Sequence, residues 1–128
     1  MPPTCAIVLP REDLSISPQE LHARLVAHEE KTLLLDVRPR AHYAVTRLHD
    51  AVNWPLTEMI RSSEDKDEKL KELGVGPNSM VVCVCRRGND SLSATLLLRE
   101  AGITAWNLQG GLQQLMAVSP TRELPALT

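Results

Sequence analysis

Two stretches of this chain are apolar on consecutive residues yet short, Thr32-Leu33-Leu34-Leu35-Asp36-Val37 and Met80-Val81-Val82-Cys83-Val84. A strand with water on one face alternates apolar and polar side chains. A strand covered on both faces reads as an unbroken apolar run instead, which is the mark of a parallel sheet between two helical layers. The second run, rich in β-branched residues, is the predicted central strand. Ala51-Val52-Asn53-Trp54, stopped by Pro55, and Ile103 to Leu108 are further short strands.

Helix signals fall between these runs. Ser17-Pro18-Gln19-Glu20 combines a capping serine, a proline at the first helical position and a glutamate that completes a capping box. Leu21, Leu25 and Val26 then give an apolar stripe to about Glu30. Ser63 to Leu73 is a charged helix closed by Gly74, Ser91 to Ala101 a more apolar one closed by Gly102, and Gly110-Gly111 opens a last helix through about Ala117. Strand and helix in alternation predict an α/β domain with helices on both faces of a parallel sheet.

At 128 residues the chain is long enough for one such domain and short for two. Residues 1–13, with Pro2, Pro3 and Pro10, read as a linker or N-terminal extension, 14–118 as the domain, and 119–128 as a C-terminal tail. Fourteen basic against sixteen acidic side chains leave a charge of −2 and no general pull toward nucleic acid or anionic membranes. With three aromatic residues, Tyr43, Trp54 and Trp106, the core is aliphatic and a base-stacking platform is not expected. No stretch reaches the roughly 18 apolar residues of a membrane span, and no secretory signal is read at the N-terminus. Three cysteines, Cys5, Cys83 and Cys85, do not suggest a disulfide scaffold, so a reducing, cytoplasmic setting is expected.

In folds of this class ligands bind beyond the carboxyl ends of the strands. The central strand ends at Val84 and runs into Cys85-Arg86-Arg87-Gly88-Asn89-Asp90-Ser91, a loop that leads straight into a helix. Backbone N–H groups curling around the sulfur, the positive end of the following helix and two arginines all favour thiolate over thiol. Gly88 supplies the freedom for a tight curl. Cys85 is therefore the candidate nucleophile. Cys83, inside the strand, is a packing residue, and Cys5 is assigned no role. One of Arg86 and Arg87 is expected to be a solvated loop charge.

These residues resemble the rhodanese family, and within it the C-terminal rhodanese domain of MoeB/Uba4-type adenylyltransferase-sulfurtransferases. The resemblance covers about residues 14–117 and is carried by Leu34-Leu35-Asp36-Val37-Arg38-Pro39, by Arg47-Leu48 with Ala51-Val52-Asn53-Trp54-Pro55, by the loop Cys85 to Ser91 with its Gly-Asn-Asp-Ser ending, and by Gly110-Gly111. The chain departs from the family pattern at His49-Asp50, where Pro-Gly is frequent, at His42, where an acid is common, and in a tail without an aromatic ending. No nucleotide-binding G-x-G-x-x-G loop is present, so an adenylation domain is expected on another chain or on a missing part of this one.

The resemblance implies a five-stranded parallel sheet and a sulfurtransferase. Cys85 would take sulfane sulfur as a persulfide from a cysteine desulfurase or another persulfide donor. It would pass that sulfur to the activated C-terminus of a ubiquitin-like sulfur carrier, serving tRNA thiolation or molybdenum-cofactor synthesis. No cofactor beyond the covalent persulfide is implied, and the resolving thiol is expected outside this chain. Arg86, Arg87, Gly88, Asn89, Asp90 and Ser91 would cradle the persulfide. Asp36 and Arg38 would form an ion pair at the strand end that supports the loop from a second layer.

Asp90 carries two readings, repulsion of the dianion thiosulfate and a helix cap by Asp90 or Ser91. A non-catalytic interaction module is the alternative function. A phosphatase is the remote one, since it needs an arginine after Cys and five residues, where this chain has Ser91. No metal site is expected from Cys83, Cys85 and the scattered His22, His28, His42 and His49. The acids and lysines of Glu64 to Glu72 read as a solvated face.

Overall fold

A computed structural model describes residues 14–27, 32–61, 66–74 and 80–118. The expected N-terminal extension with Cys5, His28, the start of the charged helix and the C-terminal tail lie outside them. In chain order the elements are β1 (Ser15–Ile16), α1 (Pro18–Ala27), β2 (Thr32–Asp36), α2 (Arg40–Val45), β3 (Val52–Asn53), α3 (Leu56–Arg61), α4 (Lys66–Glu72), β4 (Met80–Val84), α5 (Asn89–Glu100), β5 (Ala105–Leu108) and α6 (Gly111–Val118).

The five strands pair in parallel in the order β1-β5-β4-β2-β3, with β4 at the centre. Strand alternation sorts their side chains into two cores. Leu34, Met80, Val82, Val84 and Leu108 face α1, α2 and α6 through Leu21, Tyr43, Leu112 and Leu115. Leu33, Leu35, Val81, Cys83 and Ala105 face α3, α4 and α5 through Met59, Leu70, Ala94 and Leu98. The predicted helices on both faces are present, and burial on both sides explains why β2 and β4 carry no polar alternation.

The capping box forms as read. The Ser17 N–H donates to Glu20 Oε1 at 3.0 Å and the Glu20 N–H to Ser17 Oγ at 3.1 Å. The third strand is shorter than predicted, Val52–Asn53, and its last ladder bond is from the Trp54 N–H to the Asp36 carbonyl at 3.0 Å. Three elements carry no strong sequence signal. The two-residue β1 exists through its pairing with β5, Ser15 beside Asn107 and Ile16 beside Leu108. The six-residue α2 and α3 each start just after a proline, Pro39 and Pro55, and α3 buries Met59 as its anchor. An exposed two-pronged ion pair, Arg40 to Glu58, ties them and holds the Glu58 carboxyl below its ordinary range.

At the family's frequent Pro-Gly, Asp50 takes the left-handed conformation at φ +67° that a glycine would adopt without strain. Among the described residues no helix is long and apolar enough to cross a membrane.

Candidate active site

Chain geometry alone brings Cys85 to the carboxyl edge of the sheet. It is the first residue past β4, on the same side as Cys83, and therefore turned toward α5. Residues 86–88 curl back so that the Gly88 N–H donates to Cys85 Sγ at 3.0 Å. The first turn of α5 then places the Ser91 N–H at 3.3 Å and the Ser91 Oγ at 3.1 Å from the same sulfur. The curl requires Gly88. Its φ is +99°, and a Cβ there would lie 3.1 Å from the Gly110 nitrogen.

The sulfur thereby caps the helix. The first N–H groups of an α-helix have no partner within it, and a side-chain acceptor normally supplies one. Here the residue before the helix is Gly88, which has no such side chain, and Sγ takes the N–H of Ser91, third residue of α5. This corrects the cap expected of Asp90 or Ser91. Asp90 lies one residue into the helix and is exposed, while the Ser91 hydroxyl is turned to Cys85 and Asn107.

A second set of bonds holds the loop from behind. The Leu112 N–H donates to the Cys85 carbonyl at 2.8 Å and the Gln113 N–H to the Arg86 carbonyl at 3.0 Å. The start of α6 thus satisfies two loop carbonyls. Gly110-Gly111, noted in the sequence as a family marker, is the backbone that permits this approach.

The loop forms a ridge between two grooves. One, of about 500 Å³, is lined by Arg38, His42, Val45, Thr46, Arg86, Arg87, Leu112, Gln113 and Met116. The other, of about 470 Å³, is lined by Ser15, Glu20, Arg87, Gly88, Asn89, Leu92, Asn107, Gln109 and Gly110. Arg87 borders both and Arg86 only the first. Cys85 lies beneath the ridge and is 4% exposed. Asp90 is exposed and lines neither groove.

Asp36 and Arg38 form the expected ion pair. Both are buried, and the guanidinium meets the carboxylate with two nitrogens, Nε at 3.0 Å from Oδ1 and Nη2 at 2.7 Å from Oδ2. The remaining bonds of the pair secure its own neighbourhood, Arg38 Nη2 to the Thr46 carbonyl at 2.5 Å and Asn53 Nδ2 to the backbone carbonyls of Asp36 and Arg38. Among the described residues none of its hydrogen bonds reaches residues 85–91, so the pair serves the strand end and touches the site only where Arg38 lines the first groove.

Cys83 is fully buried. Loss of water pushes its thiol up to about 12, against a smaller opposing hydrogen bond with Thr95. That is the behaviour of a packing residue.

The sequence reading missed Asn107 and Ser15. Asn107 lies beside Cys83 in the sheet register and accepts a short hydrogen bond from Ser91 Oγ, while its Nδ2 donates to Ser15 Oγ at 3.0 Å. The one available signal was an amide side chain inside the otherwise apolar run Ala105 to Leu108, since a buried polar group needs partners. Among the described residues no three His, Cys, Asp or Glu side chains gather to hold a metal ion.

Comparison with known proteins places this arrangement. The model of the rhodanese-like domain matches residues 17–117. The chain is 39% identical over 114 residues to adenylyltransferase and sulfurtransferase MOCS3 of Arabidopsis thaliana, covering 83% of this chain and 24% of that protein. It is 42% identical over 107 residues to MOCS3-1 of Zea mays, covering 83% and 22%. A match to UBA4 of Candida glabrata is 42% identical over 78 residues, covering 56% and 17%. The chain thus spans about a quarter or less of the length of these relatives.

Among solved structures, a rhodanese-like domain from Anabaena aligns with a TM-score of 0.67 at 22% identity, over 89% of this chain and 77% of that one. A rhodanese-related protein from Thermoplasma volcanium aligns at 0.65 and 23%, over 83% and 93%. These two speak for the fold alone. Sequence, loop geometry and fold agree, and the chain belongs to the rhodanese-like domain family, with relatives at about 40% identity in the rhodanese region of MOCS3 and UBA4 adenylyltransferase-sulfurtransferases.

Proposed function

We propose that this domain is a sulfurtransferase in which Cys85 carries sulfur as a persulfide. The Cys85 thiolate attacks the outer sulfur of a donor persulfide. A new S–S bond forms on Cys85, the donor's S–S bond breaks, and the donor leaves as a thiolate. The terminal sulfur then attacks the acyl-adenylate at the C-terminus of a ubiquitin-like sulfur carrier, expelling AMP and leaving an acyl disulfide on Cys85. A second thiol attacks the Cys85 sulfur, which releases the carrier as a thiocarboxylate and leaves a disulfide. Cys83 is buried and its thiol raised, so that second thiol comes from outside the described residues.

The observation that carries the reading is the set of donors around Sγ. Two backbone N–H groups at 3.0 and 3.3 Å and the amino end of α5 solvate a negative sulfur, with Arg86 and Arg87 along the rim. The donor in this proposal is a cysteine desulfurase or another protein persulfide. Arg38, His42, Arg86 and Arg87 line the first groove together with Val45 and Met116, and no carboxylate does, which suits a protein surface with acidic and apolar side chains. The acceptor in this proposal is taken from the family resemblance, and the relatives' names, which join adenylyltransferase and sulfurtransferase, support it. Adenylation belongs to a domain these residues do not include, and the carrier would serve tRNA thiolation, molybdenum-cofactor synthesis or both. The site of action is cytoplasmic in this reading.

The test is intact-protein mass after exposure to a cysteine desulfurase and cysteine. Wild type is expected to gain one reducible sulfur atom and Cys85→Ala none. If neither gains it while both stay folded, the reading fails and the loop is that of an interaction module.

A further inference from the structure

We infer that Asn107 fixes the direction in which Ser91 gives its hydroxyl proton, and through it whether the Cys85 sulfur is held as a hydrogen-bond donor or acceptor. Asn107 is thus a positioning residue acting through Ser91. Its catalytic meaning rests on the proposed role of Cys85; the hydrogen-bond argument does not.

A serine hydroxyl has one proton to give. Ser91 Oγ stands between two partners, Cys85 Sγ at 3.1 Å and Asn107 Oδ1 at shorter range. The amide oxygen has no proton, so the Asn107 bond takes the one Ser91 has. At its other end the amide Nδ2 donates to Ser15 Oγ at 3.0 Å, the arrangement that leaves Oδ1 facing Ser91. Its strand is fixed there by the Asn107 N–H to the Leu14 carbonyl at 2.7 Å.

With its proton committed to Asn107, Ser91 Oγ offers the sulfur only a lone pair, and the thiol proton points toward it. A negative sulfur needs the opposite arrangement. When the thiol proton leaves for a base in solvent, the Ser91 hydroxyl turns about its Cβ–Oγ bond, gives up Asn107 and donates to Sγ. Burial makes the choice sharp, because Ser91 is fully buried, Cys85 is 4% and Asn107 5% exposed, and the hydroxyl has these two partners to choose between. Asn107 therefore competes with the sulfur for one proton, and Ser15 strengthens the competitor.

The readout is the rate at which iodoacetamide alkylates Cys85 at pH 7 in the full chain, followed on Cys85 by fragment mass. Only the thiolate reacts, forming the S–C bond as iodide leaves. Asn107→Leu keeps the shape without the acceptor and is expected to react about fivefold faster, the factor one ordinary hydrogen bond is worth. Asn107→Asp keeps an acceptor oxygen and is expected to react no faster than wild type.

In a Ser91→Ala background, Asn107→Leu is expected to change nothing, which separates an effect through Ser91 from general loosening. Asn107→Leu no faster than wild type, Asn107→Asp faster, or an equal acceleration without the Ser91 hydroxyl each overturns the inference. Should Asn107→Leu fail to fold by circular dichroism, Ser15→Ala on the short half-buried β1 replaces it, with a rate above wild type expected and any other rate decisive against. Sulfur loading plays no part in this readout, so its failure and that of the proposed function are told apart.

Discussion

The backbone N–H of Leu112 donates to the carbonyl of Cys85 at 2.8 Å, so the last helix of the domain is fastened to the residue that bears the sulfur. The residue before it makes this possible. Gly111 stands at φ +64°, and a Cβ there would meet the Cys85 and Arg86 carbonyl oxygens at 2.5 Å. Gly111→Ala is therefore expected to cost roughly 2–4 kcal/mol from left-handed strain plus the backbone clash. It is also expected to abolish sulfur loading of Cys85 in the molecules that remain folded. Thermal denaturation and intact-protein mass check the two parts separately.

Cys83 and Cys85 are two residues apart on one side of β4, yet burial gives Cys83 a pH dependence of its own. Its thiol moves from 9.0 to about 12 in the fold. An acid whose folded value is raised holds its proton longer in the native state. Its contribution is then complete below pH 9 and is lost as pH rises from 9 toward 12. Urea unfolding from pH 8 to pH 11 is expected to show a steeper loss of stability in wild type than in Cys83→Ala. The difference in slope approaches at most about 1.4 kcal/mol per pH unit. Parallel curves for the two proteins would overturn this.

How much of this was legible in the sequence depended on range. β4 and the loop after it announced themselves because the signals are local: an unbroken apolar run, then Cys85 with Gly88 three residues on. The capping box at Ser17 and Glu20 was legible for the same reason. β1 was not, since a pair of residues becomes a strand only by lying beside Asn107 and Leu108 of a segment far away in the chain. Asn107 was missed on the same ground. Its partners Ser91 and Ser15 are 16 and 92 residues away, and no spacing rule connects them. α2 and α3 follow Pro39 and Pro55, and Pro55 was read only as the stop of a strand when a proline beside the first helical residue is also a good start. The cap was misplaced because α5 begins at Asn89, two residues before the expected Ser91, so Asp90 falls inside the first turn and is exposed.

The Asp36–Arg38 pair makes its bonds to the strand end and to Thr46 and none to residues 85–91. Asp36→Ala leaves a buried guanidinium without its carboxylate and is expected to lower stability by about 3 kcal/mol, as breaking a buried pair does. The folded fraction is expected to load sulfur on Cys85 at close to the wild-type rate. A loading defect much larger than the folded fraction explains would mean that the pair supports the loop after all. Denaturant unfolding and mass measurement on the same samples check this.

The first groove gives a way to tell a protein donor from a small one. Val45 is 76% exposed and Met116 51%, large apolar side chains left to water beside the arginines of the loop. Neither side chain makes a hydrogen bond to the loop, so both can be changed without touching the sulfur's donors. Val45→Glu with Met116→Glu puts two carboxylates on a rim that has none. This double variant is expected to slow loading from a cysteine desulfurase by about tenfold, since a docked protein partner would lose apolar contact and gain like charge. Loading from glutathione persulfide, which needs no such surface, is expected to stay within about twofold. Equal loss with both donors would place the defect in the loop itself, and no loss with either would remove this groove from the donor's path.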